Sequence, residues 1–151
     1  MTSKKHKCGT DRIAEAVKKL KKKFDQIINI QGDEPLIDPR NIDKVINHHR
    51  KNEKFDIILP NLKTKFVKDP NVVRLIFNKR KEVVYITRSV APHQFIKKTN
   101  FIFKHLSVIS FKPKALLKYT KNKQGGLEKI EDIELLRAID LGLSIKTFSL
   151  E

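Results

Sequence analysis

The sequence predicts an α/β fold, and two observations support this class. Short apolar runs rich in Ile, Val and Phe alternate along the chain with segments whose apolar residues recur at helical spacing. The length of 151 residues, with 39% hydrophobic and 33% charged residues, is that of one ordinary globular domain. We therefore expect residues 1–151 to form a single α/β domain.

The formal net charge of +16 is the most unusual property of the composition, and by itself it would suggest an anionic partner. All but seven of the 33 basic residues are lysine, and they are scattered over every segment. A nucleic-acid site would gather them into one stripe. We therefore expect no nucleic-acid partner, while a lysine-rich, non-enzymatic nucleic-acid-binding module remains an alternative class.

The sequence also bears on location. It contains no apolar run long enough to span a bilayer and no secretory signal pattern, so no membrane partner is expected. The single cysteine excludes an internal disulfide and suits a reducing compartment. These features predict a cytoplasmic protein.

The first helix is predicted to begin near Thr10, which suits an N-cap, with Asp11 at the positive end of the helix dipole. Apolar residues then recur on one face, at positions 13, 14, 17 and 20. At this N-terminus Gly9 and Thr10 would offer backbone donors to an anionic or polar ligand. The alternative is a solvated amphipathic helix without a ligand.

The central strand is predicted at residues 26–30, an Ile-rich run that stops at Gly32. Pro35 prevents an immediate helix, so Asp33 would stand at the carboxyl end of this strand. Ligands bind at that edge in open α/β sheets, and a carboxylate there suits Mg²⁺ shared with phosphate oxygens. A solvated turn at residues 33–34 is the alternative interpretation.

The middle of the chain continues the alternation. Asp38 and Pro39 are a typical helix start, and a strand follows at residues 56–59. Residues 60–68 are predicted to be a polar connection. The β-rich runs at 72–77 and 83–88, separated by a short polar segment, predict a hairpin.

The last third predicts one strand over residues 103–111 and a short helix over 113–119. Apolar residues at helical spacing then predict one longer helix that begins near Leu127 and ends at a Gly142 cap. A strand at residues 144–148 completes the pattern.

Five segments resemble one known family, in the family's order. Residues 6–15, HKCGTDRIAE, look like its H-x-S-G-T-D/E-R segment with Cys8 for Ser, and residues 29–39, NIQGDEPLIDP, match its hallmark segment. Residues 69–88, which begin with DPN and end with YITR, resemble the family segment that begins with DPN and ends with YFSR. Residues 103–111 resemble a divergent form of the family's RH-x-G strand. Residues 127–137 resemble its S-P-L-E-x-x-E segment. The chain is therefore similar to the 3-deoxy-manno-octulosonate cytidylyltransferases.

This resemblance implies a three-layer, Rossmann-like nucleotidyltransferase fold with a mixed sheet. It also implies transfer of CMP from CTP to 3-deoxy-D-manno-octulosonate (Kdo), with release of pyrophosphate, for lipopolysaccharide biosynthesis in the cytoplasm. The family works as a homodimer. Another sugar-acid cytidylyltransferase, of the acylneuraminate or amino-Kdo type, is the alternative within this fold.

The resemblance also implies roles for particular residues. Asp33 would be the catalytic ligand to Mg²⁺, while Gln31 and Arg88 would orient the sugar acid. Gly9 and Thr10 would border the nucleotide, and His105 would lie near the sugar. Glu128 and Glu134 would lie on the substrate side or the dimer side.

Two family segments have no counterpart in the sequence, namely the phosphate-gripping first loop and the G-x-D-T-P-x-D-L segment with a second metal-binding Asp. From the resemblance we therefore expect a fold truncated at both ends. We also expect little or no turnover by this chain alone.

Overall fold

The computed structural model describes residues 1–32 and 35–150. Within them, five helices are formed, and their bounds are α1 Gly9–Leu20, α2 Pro39–Lys51, α3 Pro113–Thr120, α4 Gly126–Glu131 and α5 Leu135–Asp140. The strands are β1 Ile27–Ile30, β2 Ile57–Lys65, β3 Arg74–Phe77, β4 Val83–Thr87, β5 Phe101–His105, β6 Val108–Phe111 and β7 Ile145–Leu150. Over these ranges, no helix is both long and apolar enough to cross a bilayer.

The seven strands form one mixed sheet in the order β1-β6-β2-β5-β3-β4, with β7 on β2. Strand β2 lies at its centre and pairs in parallel with β7 along one edge. Its other edge is shared, because β6 pairs with the first residues of β2 and β5 with the last. All other strand pairs are antiparallel. The predicted mixed sheet is confirmed.

The helices cover both faces of the sheet, which confirms the predicted three layers. Helix α2 packs on one face, where Val45 and His49 are buried beside Ile58 of β2. Helices α1, α3 and α5 cover the other face and form the main core with the strands. The predicted cap of α2 is also confirmed, since Asp38 Oδ1 accepts a hydrogen bond from the Arg40 amide at 2.9 Å.

The polar connection predicted at residues 60–68 is wrong for residues 60–65, which continue β2. Strand β5 pairs with residues 61–65 and β7 pairs with β2 as far as Leu62, so this half joins the sheet in spite of its polar sequence. Pro60 has no N–H to donate, but its carbonyl oxygen still accepts a hydrogen bond from the Leu106 amide. Lys63 stays compatible with the strand because its ammonium lies 4.2 Å from the centre of the Phe101 ring.

Two elements predicted as continuous are interrupted. The strand expected at 103–111 is two strands, because β5 and β6 pair with different halves of β2. The long helix expected after Leu127 is two helices, α4 and α5, separated at Asp132, whose φ of 51° is left-handed. An aspartate tolerates that conformation better than most residues, and the helical spacing of the apolar residues continues through the break.

The start of α1 differs from the prediction by two residues. Cys8, not Thr10, is the N-cap, and Thr10 is a buried residue of the first turn. Ala14 faces the core as predicted, whereas Leu20 is 58% exposed because the chain leaves the helix at Lys21 with a left-handed φ.

Candidate active site

A cavity of about 640 Å³ opens at the end of the sheet where β1 stops. Its wall is formed by the start of α1, the carboxyl ends of β1, β4 and β5, and the junction of α4 with α5. Six of the predicted site residues line it: Gly9, Gln31, Arg88, His105, Glu128 and Glu134. The chain therefore gathers side chains from five distant segments around one space.

Gln31 and Thr10 meet at the carboxylate of Glu134. The side-chain amide of Gln31 donates to Glu134 Oε1 at 3.2 Å, and the backbone amide of Thr10 donates to Glu134 Oε2 at 3.3 Å. Thr10 Oγ1 also accepts from the buried side chain of Asn29 at 3.4 Å. The Thr10 backbone donor that we expected to face a ligand is thus occupied by Glu134, which ties α1, β1 and the start of α5 together.

Glu128 forms a buried ion pair with Arg137. Both side chains are 2% exposed, and the guanidinium donates to the two carboxylate oxygens at 2.6 and 2.7 Å. Arg137 also donates to Asp11 Oδ1 at 3.0 Å. Burial opposes the charge of Arg137, but its hydrogen bonds to Glu128 hold its pKa above the usual value. Because both of its oxygens are engaged, Glu128 lines the cavity as part of the scaffold.

Arg88 enters the cavity from the end of β4 and is held by backbone carbonyls. Its guanidinium donates to the carbonyl of Glu131 at 2.8 Å, of Asp132 at 3.2 Å and of Pro70 at 3.3 Å. The carbonyls of Glu131 and Asp132 lie at the end of α4, where carbonyl groups lack partners within the helix. A guanidinium has five N–H donors, so three used in this way leave two for a ligand.

Glu131 fixes the same corner and was not predicted as a site residue. Its Oε1 accepts from the Thr87 hydroxyl at 2.6 Å and its Oε2 from the Arg88 backbone amide at 2.8 Å. The sequence did contain a signal for Glu131, because it lies between the predicted site residues Glu128 and Glu134. Its partners at the end of β4 are 43 and 44 positions away, and the sequence pattern did not show that contact.

Arg74 was also missed, although it organises the loop beneath Arg88. It is 1% exposed, and its guanidinium donates to the carbonyls of Val72 and Arg88 at 2.8 Å. It reaches the carbonyls of Val67 at 2.5 Å and Asp69 at 3.2 Å as well. A basic residue in a polar, lysine-rich chain gives no signal that it will be buried.

Cys8 borders the cavity but is not an activated thiol. Burial raises its pKa to about 12, and its Sγ lies 3.9 Å from the hydroxyl of Tyr119. The Tyr119 hydroxyl donates to the carbonyl of Glu134 at 2.8 Å, and burial raises its pKa too. A thiol whose pKa is raised in this way is mainly protonated at neutral pH, which disfavours Cys8 as a nucleophile.

The predicted metal ligand Asp33 lies outside the described residues. Over residues 1–32 and 35–150, no group of three or more Asp, Glu, His or Cys side chains could enclose a metal ion. His105 stands at the carboxyl end of β5, with its ring in the cavity wall. The roles expected for these residues stay predictions.

An α/β sheet with a cavity at its strand ends is an architecture that nucleotide-binding enzymes commonly use. The sequence model of the family described as "Cytidylyltransferase" matches residues 1–145. The chain belongs to the cytidylyltransferase family.

Its similar relatives carry one activity in their names. The chain is 38% identical over 151 residues to a 3-deoxy-manno-octulosonate cytidylyltransferase of Fusobacterium nucleatum, and the match spans 97% of the chain and 60% of the relative. It is 35% identical to the mitochondrial 3-deoxy-manno-octulosonate cytidylyltransferase of Arabidopsis thaliana, across 100% of the chain and 54% of the relative. The chain thus spans between half and two thirds of the length of these relatives.

Solved structures agree with this placement. A CMP:2-keto-3-deoxy-manno-octonic acid synthetase complexed with CTP is similar with a TM-score of 0.88 and 27% identity, over 99% of this chain and 62% of that one. HddC from Yersinia pseudotuberculosis, 14% identical with a TM-score of 0.63, shares the fold alone.

Proposed function

We propose that this chain acts in cytidylyl transfer from CTP to Kdo, in the cytoplasm, on the path to lipopolysaccharide. The observation that carries the proposal is the convergence of Gln31, Arg88, His105 and Glu134 on one cavity. The names of the relatives and the CTP complex of the similar synthetase support the substrate pair. The scattering of the lysines gives no comparable support to a nucleic-acid binder.

In the proposed reaction, the anomeric hydroxyl oxygen of Kdo attacks the α-phosphorus of CTP in line. The bond from that phosphorus to the oxygen bridging the β-phosphorus breaks, the hydroxyl proton is released, and pyrophosphate leaves. Such a transfer needs positioning and charge stabilisation more than covalent chemistry. A neutral Cys8 thiol is consistent with a route that has no covalent enzyme intermediate.

Arg88 is suited to the carboxylate of the sugar acid. Three of its donors are fixed on the carbonyls of residues 70, 131 and 132, so the direction of the remaining two is set before a ligand arrives. Two N–H groups of a guanidinium can grip a carboxylate in parallel. Glu134 accepts from the side-chain amide of Gln31 at 3.2 Å, so Glu134 would position Gln31 for the sugar acid.

The proposed cofactor is Mg²⁺ at Asp33. No side-chain cage exists among the described residues, so the ion would take its other ligands from phosphate oxygens and water, as Mg²⁺ commonly does. When bound, the ion supplies charge neutralisation on the triphosphate. Glu128 does not compete for it, because Arg137 occupies both of its carboxylate oxygens.

We also propose that the working form is a homodimer. Phe95 and Ile96 are neighbouring apolar side chains that are 87% and 93% exposed, and a second copy would bury them. Sedimentation velocity would test this. A dimer that dissociates in an F95S/I96S variant is the expected result, and a monomer at all concentrations would contradict it.

The experiment for the function is Kdo binding to the purified chain by calorimetry, followed by an assay for CMP-Kdo with CTP and Mg²⁺. We expect the Arg88→Met substitution to weaken Kdo binding by about tenfold or more. The matched control is Arg80→Met, since Arg80 is exposed on the hairpin. Equal binding by both variants, or no Kdo binding by the unaltered chain, would refute the assignment.

The same assay tests whether the chain alone turns over little, as the resemblance implies. CMP-Kdo formation at a rate typical of enzymes would contradict that expectation and would leave the substrate assignment intact.

A further inference from the structure

A second cavity of about 390 Å³ lies behind the N-terminal half of α1. Its walls come from residues 5–7, from α1 and from the connection between α3 and α4. Four lysines line it: Lys5, Lys7, Lys18 and Lys123. Across the described residues, none of these four ammonium groups lies within 4.0 Å of a carboxylate.

The two carboxylates in the same wall are already paired with cationic side chains, although Asp11 shares Arg137 with Glu128. Asp11 accepts from Arg137 at 3.0 Å, and Glu15 accepts from Lys19 at 2.6 Å and from His6. The four lysines therefore keep an excess of positive charge in a concave space. Charge focused in a cleft attracts anions more strongly than the same charge spread over a flat surface.

The wall formed by the N-terminal segment is fixed by specific contacts. The Ser3 amide donates to Glu15 Oε2 at 2.9 Å. Arg12 Nη1 donates to the Thr2 hydroxyl at 3.2 Å and to the Ser3 carbonyl at 3.3 Å. Lys19 Nζ donates to the Met1 carbonyl at 2.7 Å. Together with the contact between His6 and Glu15, these bonds hold the N-terminal segment against α1. Lys5 and Lys7 therefore line the same space as Lys18 and Lys123, and all four are exposed side chains.

The chemistry of the wall selects among anions. Its arginine, Arg137, is committed to carboxylates, so the cavity has point-like ammonium donors and lacks an open guanidinium fork for a carboxylate ligand. None of the lining residues is Phe, Tyr or Trp, and the one lining imidazole, that of His6, is held on Glu15, so the wall offers little surface on which a nucleobase could stack. A short chain of phosphates matches a cavity lined by four lysines better than a nucleotide base or a sugar acid does.

We propose that this second cavity binds a small condensed phosphate, such as inorganic pyrophosphate. Lys7 and Gln124 line both cavities, so the bound phosphate would lie next to the candidate active site without occupying it. The proposal does not depend on which sugar acid the first cavity takes.

The test is calorimetric titration of the full chain with inorganic pyrophosphate, without Mg²⁺. The variant K5Q/K18Q/K123Q leaves the shared Lys7 intact, and K65Q/K79Q/K97Q removes the same charge from exposed sites elsewhere. We expect the first triple to weaken binding by about tenfold and the second to leave it nearly unchanged, because a local contact outweighs screened distant charge. Circular dichroism would verify that both triples fold.

Parallel titrations with CTP and with a single-stranded oligonucleotide separate the sources of phosphate. Tighter binding of pyrophosphate than of either, lost in the first triple, supports the proposal. Equal losses in the two triples would show a general charge effect, and unchanged binding in the first triple would place pyrophosphate in the other cavity. Either of these two results would overturn the proposal. An absence of saturable pyrophosphate binding, or displacement of pyrophosphate by the oligonucleotide, would overturn it as well.

Discussion

Gln31 donates its side-chain amide to Glu134, a residue 103 positions further along the chain. The same carboxylate accepts from the Thr10 amide, so one side chain joins the first helix, the first strand and the last helix at the cavity. This junction of three elements therefore depends on a single acid.

Replacing Glu134 with Ala should release this junction. Two hydrogen bonds to a carboxylate are lost, and we expect the free energy of unfolding to fall by about 1–3 kcal/mol. Urea denaturation would measure the loss, with Glu53→Ala, an exposed acid, as the control. Equal stability of the two variants would contradict the role given to Glu134.

Replacing Arg137 with Leu should be more damaging, because it leaves the Glu128 charge buried without its main partner. We expect a loss of about 3–5 kcal/mol in the free energy of unfolding. The double variant R137L/E128L should recover part of it, since no uncompensated charge remains. Arg80→Leu breaks an exposed pair and serves as control. The interpretation fails if the double variant is as unstable as the sum of the single ones.

Replacing Arg74 with Lys tests whether the fork geometry matters. Lysine keeps the charge but cannot direct donors at the four carbonyls that Arg74 reaches, so we expect a loss of about 2–3 kcal/mol. The backbone amides of residues 67–72 and of Arg88 should exchange their hydrogens faster, because Arg74 would no longer fix this segment. Retention of the original stability and exchange rates would show that charge alone suffices.

Stability should decrease as the pH falls below about 6.5, the usual pKa of histidine. His49 is buried, with Nε2 facing the Phe55 carbonyl at 3.1 Å and Nδ1 facing the Ser110 hydroxyl at 2.6 Å. Burial lowers its pKa in the folded chain, so the unfolded chain binds the additional proton as the pH falls, and unfolding becomes easier. Stability is fully present above the unfolded pKa.

Urea midpoints of the unaltered chain and of His49→Gln, measured between neutral and acidic pH, would check this. The variant should show a weaker pH dependence, although some should remain because burial also lowers the pKa of His48. The outcome that contradicts the prediction is an identical pH dependence in both proteins.

Helix caps and the hairpin were predictable from the sequence, because residues close together in the chain determine them. The Asp38 cap forms a bond to the amide of residue 40, and Gly142 has the positive φ expected of a helix-ending glycine. The hairpin of β3 and β4 was found for the same reason, because both strands and their short connection lie within about twenty residues.

Structure set by distant partners was not predictable in the same way. Residues 60–65 have a polar sequence and become a central strand because β5 and β7 pair with them. Arg137 is buried beside Asp11, which is 126 positions away, and Arg74 reaches across the hairpin to the Arg88 carbonyl. Of the candidate site, the family resemblance indicated which residues would meet, whereas Glu131 and the occupied Thr10 donor required the three-dimensional contacts.

The central position of β2 has a consequence for biosynthesis. Its parallel partner is β7, and Asn61 and Ser149, joined by a hydrogen bond of 3.0 Å, are 88 residues apart. While the nascent chain grows, one edge of this apolar strand stays unpaired until residues 145–150 have left the ribosomal tunnel. That interval is when intermolecular strand pairing competes with correct folding, so a chaperone that shields residues 57–62 would have its greatest effect there.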